Sequence, residues 1–154
     1  MVSVGKRIKN FTLPATGDQN LSLSDFSGRS LIIYFYPKDN TPGCTLEGQD
    51  FRDLYPQLTA AGADVLGVSR DTVRTHGNFR NKHEFPFHLL SDGEETLCKQ
   101  FDVIKEKKLY GRTYMGIERS TFLIDAEGIL QEEWRKVRVP GHAQAVLDAL
   151  NARS

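Results

Sequence analysis

The chain has 154 residues, a length that suits one domain able to bury a core without disulfides or a structural metal. Its 20 basic and 20 acidic residues balance, so long-range attraction favours no polyanion, and we predict no nucleic-acid partner. Residues 1–10 lack the apolar run of a signal peptide and no later run has membrane-spanning length, which predicts a cytoplasmic protein with no membrane partner.

The first predicted element is an N-terminal hairpin. Residues 11–13 and 21–23 alternate apolar with polar side chains on either side of the turn sequence at 17–20. Such alternation around a turn is typical of two short paired strands. The continuous apolar run at 31–36 then predicts a strand that is buried on both faces and ends at Pro37.

A helix is predicted to begin soon after this strand. Thr41 can cap its N-terminus and Pro42 suits its first position, which places Cys44 in the first turn. Unpaired backbone N–H groups and the positive end of the helix dipole favour an anion there. Cysteines at helix N-termini ionise more readily than free thiols, and the thiolate is the nucleophile. Cys44 is therefore the candidate nucleophile, although a free cysteine is commonly only a small buried apolar residue.

The rest of the chain alternates strands and helices. The Cys44 helix keeps apolar residues at helical spacing until Gly62, and the next predicted elements are a strand at 64–68, a helix at 71–82, a strand at 87–90 and a short helix around Cys98. Residues 105–108 mix charges and are interpreted as a solvated loop or helix end. A second hairpin is predicted at 120–135 and an amphipathic helix at 143–150. This order predicts an α/β fold with a mixed central sheet and helices on both faces.

The spacing of Pro37, Thr41 and Cys44 resembles the peroxidatic motif of the peroxiredoxins. The run Thr-Pro-Gly-Cys-Thr-x-Glu, which ends at Glu47, is similar to the bacterioferritin comigratory protein (peroxiredoxin Q) branch. Residues 64–69, 87–92 and 119–125 follow in the order of that branch, so the resemblance covers nearly the whole chain. It implies one thioredoxin-like domain over residues 1–154. It also implies an antioxidant enzyme that reduces hydrogen peroxide and organic hydroperoxides to water and alcohols through a Cys44 sulfenic acid.

The resemblance further implies roles for the residues near Cys44. Arg119 stands at the arginine position of the family, where a guanidinium would stabilise the thiolate and hold the peroxide oxygens. Without the resemblance, Arg119 would be interpreted as a surface residue. Thr41 would direct its hydroxyl at thiolate and peroxide, the alternative being an ordinary helix cap.

The loop around the cysteine is expected to support these groups. Pro42 would shield the site from water, and the backbone N–H groups of Gly43 and Cys44 would act as donors. Pro37 completes the motif. Glu47 would orient Arg119 by a charge-assisted hydrogen bond, or would only complement the helix dipole.

What reduces the sulfenic acid is left open by the sequence. One usual position of the resolving cysteine, five residues after Cys44, holds Gln49, and the positions in the following helix hold Asn81, Lys82 and His83. Cys98 would be either a packed thiol or the partner of Cys44 in a disulfide, and Gly48 would ease the helix unwinding that this disulfide needs. We expect a one-cysteine mechanism in which an external thiol attacks, supplied by thioredoxin or by glutathione with glutaredoxin.

No cofactor is expected. The four histidines show no metal-ligand spacing among themselves or with the cysteines, so no metal is predicted. The resemblance suggests a monomer.

Two other functions compete with the peroxidase. One is a thioredoxin-like disulfide reductase, which usually needs a second cysteine where Glu47 stands, and the other is a redox-sensing binding protein in which oxidised Cys44 changes partner affinity.

Overall fold

The computed structural model describes residues 1–153, and in them the chain forms nine strands, four α-helices and one 3₁₀ helix. The strands are β1 (Thr12–Ala15), β2 (Gln19–Ser22), β3 (Ser30–Phe35), β4 (Ala63–Ser69), β5 (His88–Ser91), β6 (Ile104–Leu109), β7 (Arg112–Ile117), β8 (Ser120–Ile124) and β9 (Leu130–Trp134). The helices are the 3₁₀ helix (Leu23–Phe26), α1 (Pro42–Ala60), α2 (Val73–His83), α3 (Thr96–Gln100) and α4 (His142–Ala152).

Seven strands form one mixed sheet in the order β2-β1-β5-β4-β3-β8-β9. Strands β3, β4 and β5 are parallel, and α1 and α2 connect them. Strand β1 runs antiparallel to β5, β8 to β3, and β9 to β8. The predicted mixed sheet, the N-terminal hairpin of β1 and β2, and the second hairpin of β8 and β9 are confirmed.

Each face of the sheet carries its own apolar cluster, because successive side chains of a strand point to opposite faces. Residues 31, 33 and 35 pack in a cluster that includes Cys98 of α3. Residues 32, 34 and 36 pack in another that includes Cys44 and side chains of α1, α2 and α4. We call these the Cys98 face and the Cys44 face. Helices cover both faces, as predicted.

The interpretation of residues 105–108 as a loop or helix end was wrong. They lie in β6, which pairs with β7 in a separate two-stranded sheet that sets Lys107 opposite Tyr114. Tyr110 and Gly111 both have positive φ, at 51° and 78°, and form a two-residue hairpin turn. The strand escaped prediction because its polar side chains do not alternate with apolar ones and its turn lacks the usual Asn-Gly pair. Among the helices of residues 1–153, none has the length and apolar character needed to cross a membrane.

Candidate active site

Cys44 lies in the first turn of α1, where the sequence predicts it. Thr41 is the N-cap residue, with extended backbone, and its carbonyl accepts the N–H of Thr45 at 2.9 Å. The Thr41 hydroxyl does not cap the helix; it donates to the Lys38 carbonyl at 2.8 Å. That bond occupies the hydroxyl proton and leaves the oxygen free to accept a hydrogen bond.

Arg119 joins Cys44 to Glu47. It precedes β8, and the pairing of Phe35 with Ser120 brings it to the end of β3 from which α1 starts. Its Nη1 donates to Glu47 Oε1 at 2.6 Å and its Nη2 contacts Cys44 Sγ at 3.6 Å. A Cβ on Gly43 would lie 3.2 Å from Arg119 Nη2, so glycine there permits the close approach of the guanidinium. The structure therefore brings together the sequence-predicted residues Cys44, Gly43, Glu47 and Arg119.

The Arg119–Glu47 pair is largely removed from water. The exposed fraction of the side chain is 17% for Arg119 and 1% for Glu47. Burial raises the pKa of Glu47 to about 7, although Arg119 opposes this change. Burial also opposes the charge of Arg119, but Glu47 and Cys44 outweigh it and raise the pKa of the guanidinium. Arg119 therefore stays a cation beside the sulfur, and Glu47 holds it there.

Tyr34, which the sequence did not single out, lies behind this pair. Burial raises its pKa, and the nearby Glu47 and Cys44 add to that effect. Within residues 1–153, neither the Tyr34 hydroxyl nor Glu47 Oε2 has a hydrogen-bond partner. The Tyr34 ring stacks on Phe51 with centroids 4.8 Å apart. The proximity of two residues from different elements, β3 and α1, gives no signal in the sequence.

Cys98 is buried on the opposite face of the sheet. Its backbone N–H donates to Asp92 Oδ2 at 2.7 Å, and burial together with Asp92 raises the pKa of its thiol. A raised pKa leaves little thiolate at neutral pH. A glycine at position 48 is required by packing, because a Cβ there would overlap the ring of Phe85. That Gly48 also eases unwinding of α1 stays a prediction.

A second polar cluster gives no spacing signal in the sequence, because Asp39 lies far along the chain from Asp71 and His76. Ligand-type atoms of Asp39, Asp71 and His76 lie within 4.8 Å of one another. Asp39 Oδ2 and His76 Nδ1 are 2.7 Å apart and hydrogen-bonded to each other, which is the arrangement of a buried polar pair. That the protein needs no metal stays a prediction.

The chain is similar to known proteins in both sequence and structure. The model of the AhpC/TSA family matches residues 4–133. The peroxiredoxin Bcp of Xanthomonas campestris pv. campestris is 56% identical over 146 residues, which cover 94% of this chain and 91% of that protein. The solved X. campestris bacterioferritin comigratory protein, studied for its alkyl peroxide reduction activity, superposes with a TM-score of 0.89 at 55% identity over 93% of this chain and 91% of its own. A cysteine-to-serine mutant of Xylella fastidiosa PrxQ gives a TM-score of 0.95 at 47% identity, covering 99% of this chain and 98% of that one.

Proposed function

Because this chain belongs to the AhpC/TSA family and is a thiol-dependent peroxidase of the Bcp/PrxQ type, we propose that Cys44 is the thiolate that attacks the hydroperoxide. The observation that carries this proposal is the position of the Arg119 guanidinium. One of its nitrogens lies 3.6 Å from Cys44 Sγ and the other donates to Glu47 Oε1 at 2.6 Å. A fixed cation beside the sulfur stabilises the thiolate and the negative charge that develops on the peroxide.

The proposed chemical step conserves atoms and charge. A sulfur electron pair of Cys44 attacks one peroxide oxygen, an S–O bond forms and the O–O bond breaks. The other oxygen leaves as hydroxide or alkoxide and takes a proton from the solvent to become water or an alcohol. Cys44 is oxidised to a sulfenic acid and the peroxide is reduced.

Thr41 and the loop residues orient the peroxide in this proposal. The Thr41 oxygen can accept a hydrogen bond from the peroxide O–H, because its own hydrogen is donated to the Lys38 carbonyl. The N–H groups of Gly43 and Cys44 lie in the first turn of α1, where backbone donors have no partner within the helix. Pro42 occupies the first helical position and Pro37 follows β3, so both restrict the loop and limit the access of water.

We infer a one-cysteine cycle from the positions of the two thiols. Cys44 and Cys98 belong to apolar clusters on opposite faces of the sheet, so a disulfide between them requires much of the fold to open. An external thiol attacks the sulfenic acid instead, giving a mixed disulfide and water. A second thiol then releases the Cys44 thiol and an external disulfide.

Substitution of each cysteine tests the nucleophile and the cycle. We expect Cys44→Ser to abolish peroxide consumption without loss of the fold, and substantial remaining turnover would refute the role of Cys44. After one equivalent of hydrogen peroxide without reductant, intact mass should show one added oxygen on Cys44, unchanged in Cys98→Ser. Loss of two hydrogens together with a Cys44–Cys98 peptide would establish the alternative two-cysteine cycle.

The physiological setting belongs to the same proposal. We propose that residues 1–154 act as a single monomeric domain in the cytoplasm and take electrons from thioredoxin or from glutathione with glutaredoxin. Sedimentation of reduced and oxidised protein tests the monomer. Turnover coupled in turn to each purified reductant system tests the electron donor, and the donor with the higher kcat/KM is the better candidate.

A further inference from the structure

A buried polar network lies behind the loop that leads into α1. It joins Asp39 of that loop to His76 of α2, whose side chains have exposed fractions of 0%. The Tyr36 hydroxyl donates to Asp39 Oδ1 at 2.6 Å, and His76 Nδ1 lies 2.7 Å from Asp39 Oδ2. His76 Nε2 lies 2.8 Å from the carbonyl oxygen of Leu90. The Asp39 carboxyl group is therefore bonded on both oxygens, by Tyr36 and by His76, and His76 links it on to Leu90 of β5.

The bonding pattern determines where the protons are. A carbonyl oxygen only accepts, so His76 Nε2 must carry the hydrogen that it donates to Leu90. The contact between His76 Nδ1 and Asp39 Oδ2 then needs one proton between the two atoms. Both oxygens of Asp39 are thereby satisfied, and the loss of one partner would leave a buried polar group unpaired.

The same network fixes the backbone that precedes Thr41. The Asp39 N–H donates to Asp71 Oδ2 at 2.9 Å, and the Ser69 hydroxyl donates to the same oxygen. The Asp39 N–H and the Lys38 carbonyl belong to one planar peptide unit, so whatever orients one orients the other. The Lys38 carbonyl accepts the Thr41 hydroxyl at 2.8 Å.

We propose that Asp39, held by His76 and Asp71, is the positioning residue for Thr41. Its side chain and N–H fix the plane of the 38–39 peptide, and the Lys38 carbonyl then aims the Thr41 hydroxyl at the peroxide. This inference rests on the proposed role of Thr41. Asp39, Asp71 and His76 do not touch the peroxide in this account. They act on the orientation of the peroxide and leave the reactivity of the Cys44 sulfur unchanged.

Two reagents separate positioning from general damage. The rate constant of Cys44 with hydrogen peroxide depends on the oriented site, whereas alkylation by iodoacetamide reports only the accessible thiolate. We expect His76→Ala to slow the peroxide reaction about tenfold to hundredfold, the scale that a small misplacement causes, and to leave alkylation close to wild type. His76→Asn keeps a donor near the Nδ1 position and should recover most of the rate.

Matched controls exclude a merely structural effect. Leu130→Ala truncates a buried β9 side chain of the Cys98 face and lowers stability far from the loop. It should leave both rates unchanged at a temperature where every variant is folded. Equal loss of both rates in His76→Ala, or equal loss of the peroxide rate in Leu130→Ala, would overturn the inference. If His76→Ala does not fold, His76→Gln takes its place, because a glutamine amide can keep the donor to the Leu90 carbonyl but loses the bond to Asp39. His76→Gln should slow the peroxide reaction and leave alkylation close to wild type, and a wild-type peroxide rate in this variant would overturn the inference.

A double-mutant cycle with Thr41→Val tests the route through Thr41. If the network acts through this hydroxyl, His76→Ala should slow the Thr41→Val enzyme little further. A full additional loss in the double variant would show that the network acts elsewhere and would overturn the inference. A wild-type rate in Thr41→Val alone would instead remove the proposed role of Thr41, so the two failures are distinguishable.

Discussion

Arg119 makes two contacts that a single ammonium group cannot reproduce. Its planar fork gives one nitrogen to Glu47 Oε1 at 2.6 Å and the other to Cys44 Sγ at 3.6 Å. Arg119→Lys keeps the charge but loses one of these contacts. We expect the peroxide rate constant to fall about hundredfold or more, as when one donor of a preorganised anion site is removed. Rapid-mixing measurement of peroxide consumption in a single turnover checks this.

The matched control for that substitution is Arg29→Lys. Arg29 precedes β3 at the end of the strand away from α1, and pairs with Asp64 at 3.1 Å in a partly exposed site. An exposed pair of this kind contributes little to stability, so this variant should react like wild type. A wild-type rate in Arg119→Lys would mean that charge alone suffices and that the fork has no role.

For single residues, the prediction reached only as far as the local sequence. Thr41, Pro42 and Cys44 occupy the N-cap, the first helical position and the first turn in both prediction and structure, because these preferences act over a few neighbours, although the Thr41 hydroxyl makes no capping bond. Arg119 was found only through its resemblance to a family position. The partners Asp39 and His76 stand 37 positions apart and join through the packing of α2 against the loop, which no local pattern reports.

The packing of α1 requires a glycine at one position of the helix. A Cβ at Gly48 would overlap the ring of Phe85, which belongs to the Cys44 face. Gly48→Ala gains about 1 kcal/mol of helix propensity but forces the ring to move in a dense core, which typically costs about 1–3 kcal/mol. We therefore expect a net loss of stability and a lower midpoint in urea, measured by circular dichroism.

Gly77 of α2 provides the opposite case. A Cβ there has no neighbour within 4 Å. Gly77→Ala should therefore stabilise the protein by about 0.5–1 kcal/mol, because alanine has the higher helix propensity and meets no clash. Gly48→Ala combined with Phe85→Leu should lose less stability than the two single variants together. If Gly48→Ala stabilised the protein as Gly77→Ala does, the ring contact would not explain the glycine.

Periodicity located most elements but not β6 and β7. Strands β3 and β4 and helix α4 have apolar patterns that a buried strand or amphipathic helix requires, and each was predicted within a few residues of its bounds. Strands β6 and β7 pair chiefly with each other, outside the large sheet, and most of their side chains are polar or exposed. A hairpin held by backbone pairing leaves little hydrophobic pattern to detect.

For the whole molecule, two buried groups oppose each other in their effect on stability as the pH changes. Burial raises the pKa of Glu47 from 4.5 to about 7. The native state therefore binds a proton between these values that the unfolded chain has lost, so stability falls as the pH rises through this window. Across the whole window the free energy of unfolding falls by about 3 kcal/mol through this one group.

His142 acts in the opposite direction. Burial, with a smaller effect of Arg119, lowers its pKa from 6.5 to about 4. Its ring is buried and its Nε2 meets the Thr121 hydroxyl at 2.7 Å. Between these values the unfolded chain binds a proton that the native state excludes, so stability falls as the pH drops from 6.5 towards 4. This effect is also about 3 kcal/mol at most.

The two effects overlap between pH 4.5 and 6.5, where they largely cancel, so removal of either group should expose the other. In Glu47→Gln the free energy of unfolding should rise relative to wild type as the pH increases from 4.5 to 7, by up to about 3 kcal/mol. In His142→Gln it should rise relative to wild type as the pH decreases from 6.5 to 4. Urea unfolding of the three proteins across this range measures both differences, and the other titrating groups cancel in each comparison with wild type. If the difference in free energy of unfolding between one variant and wild type does not change with pH, the pKa of the residue replaced in that variant is not displaced by the fold.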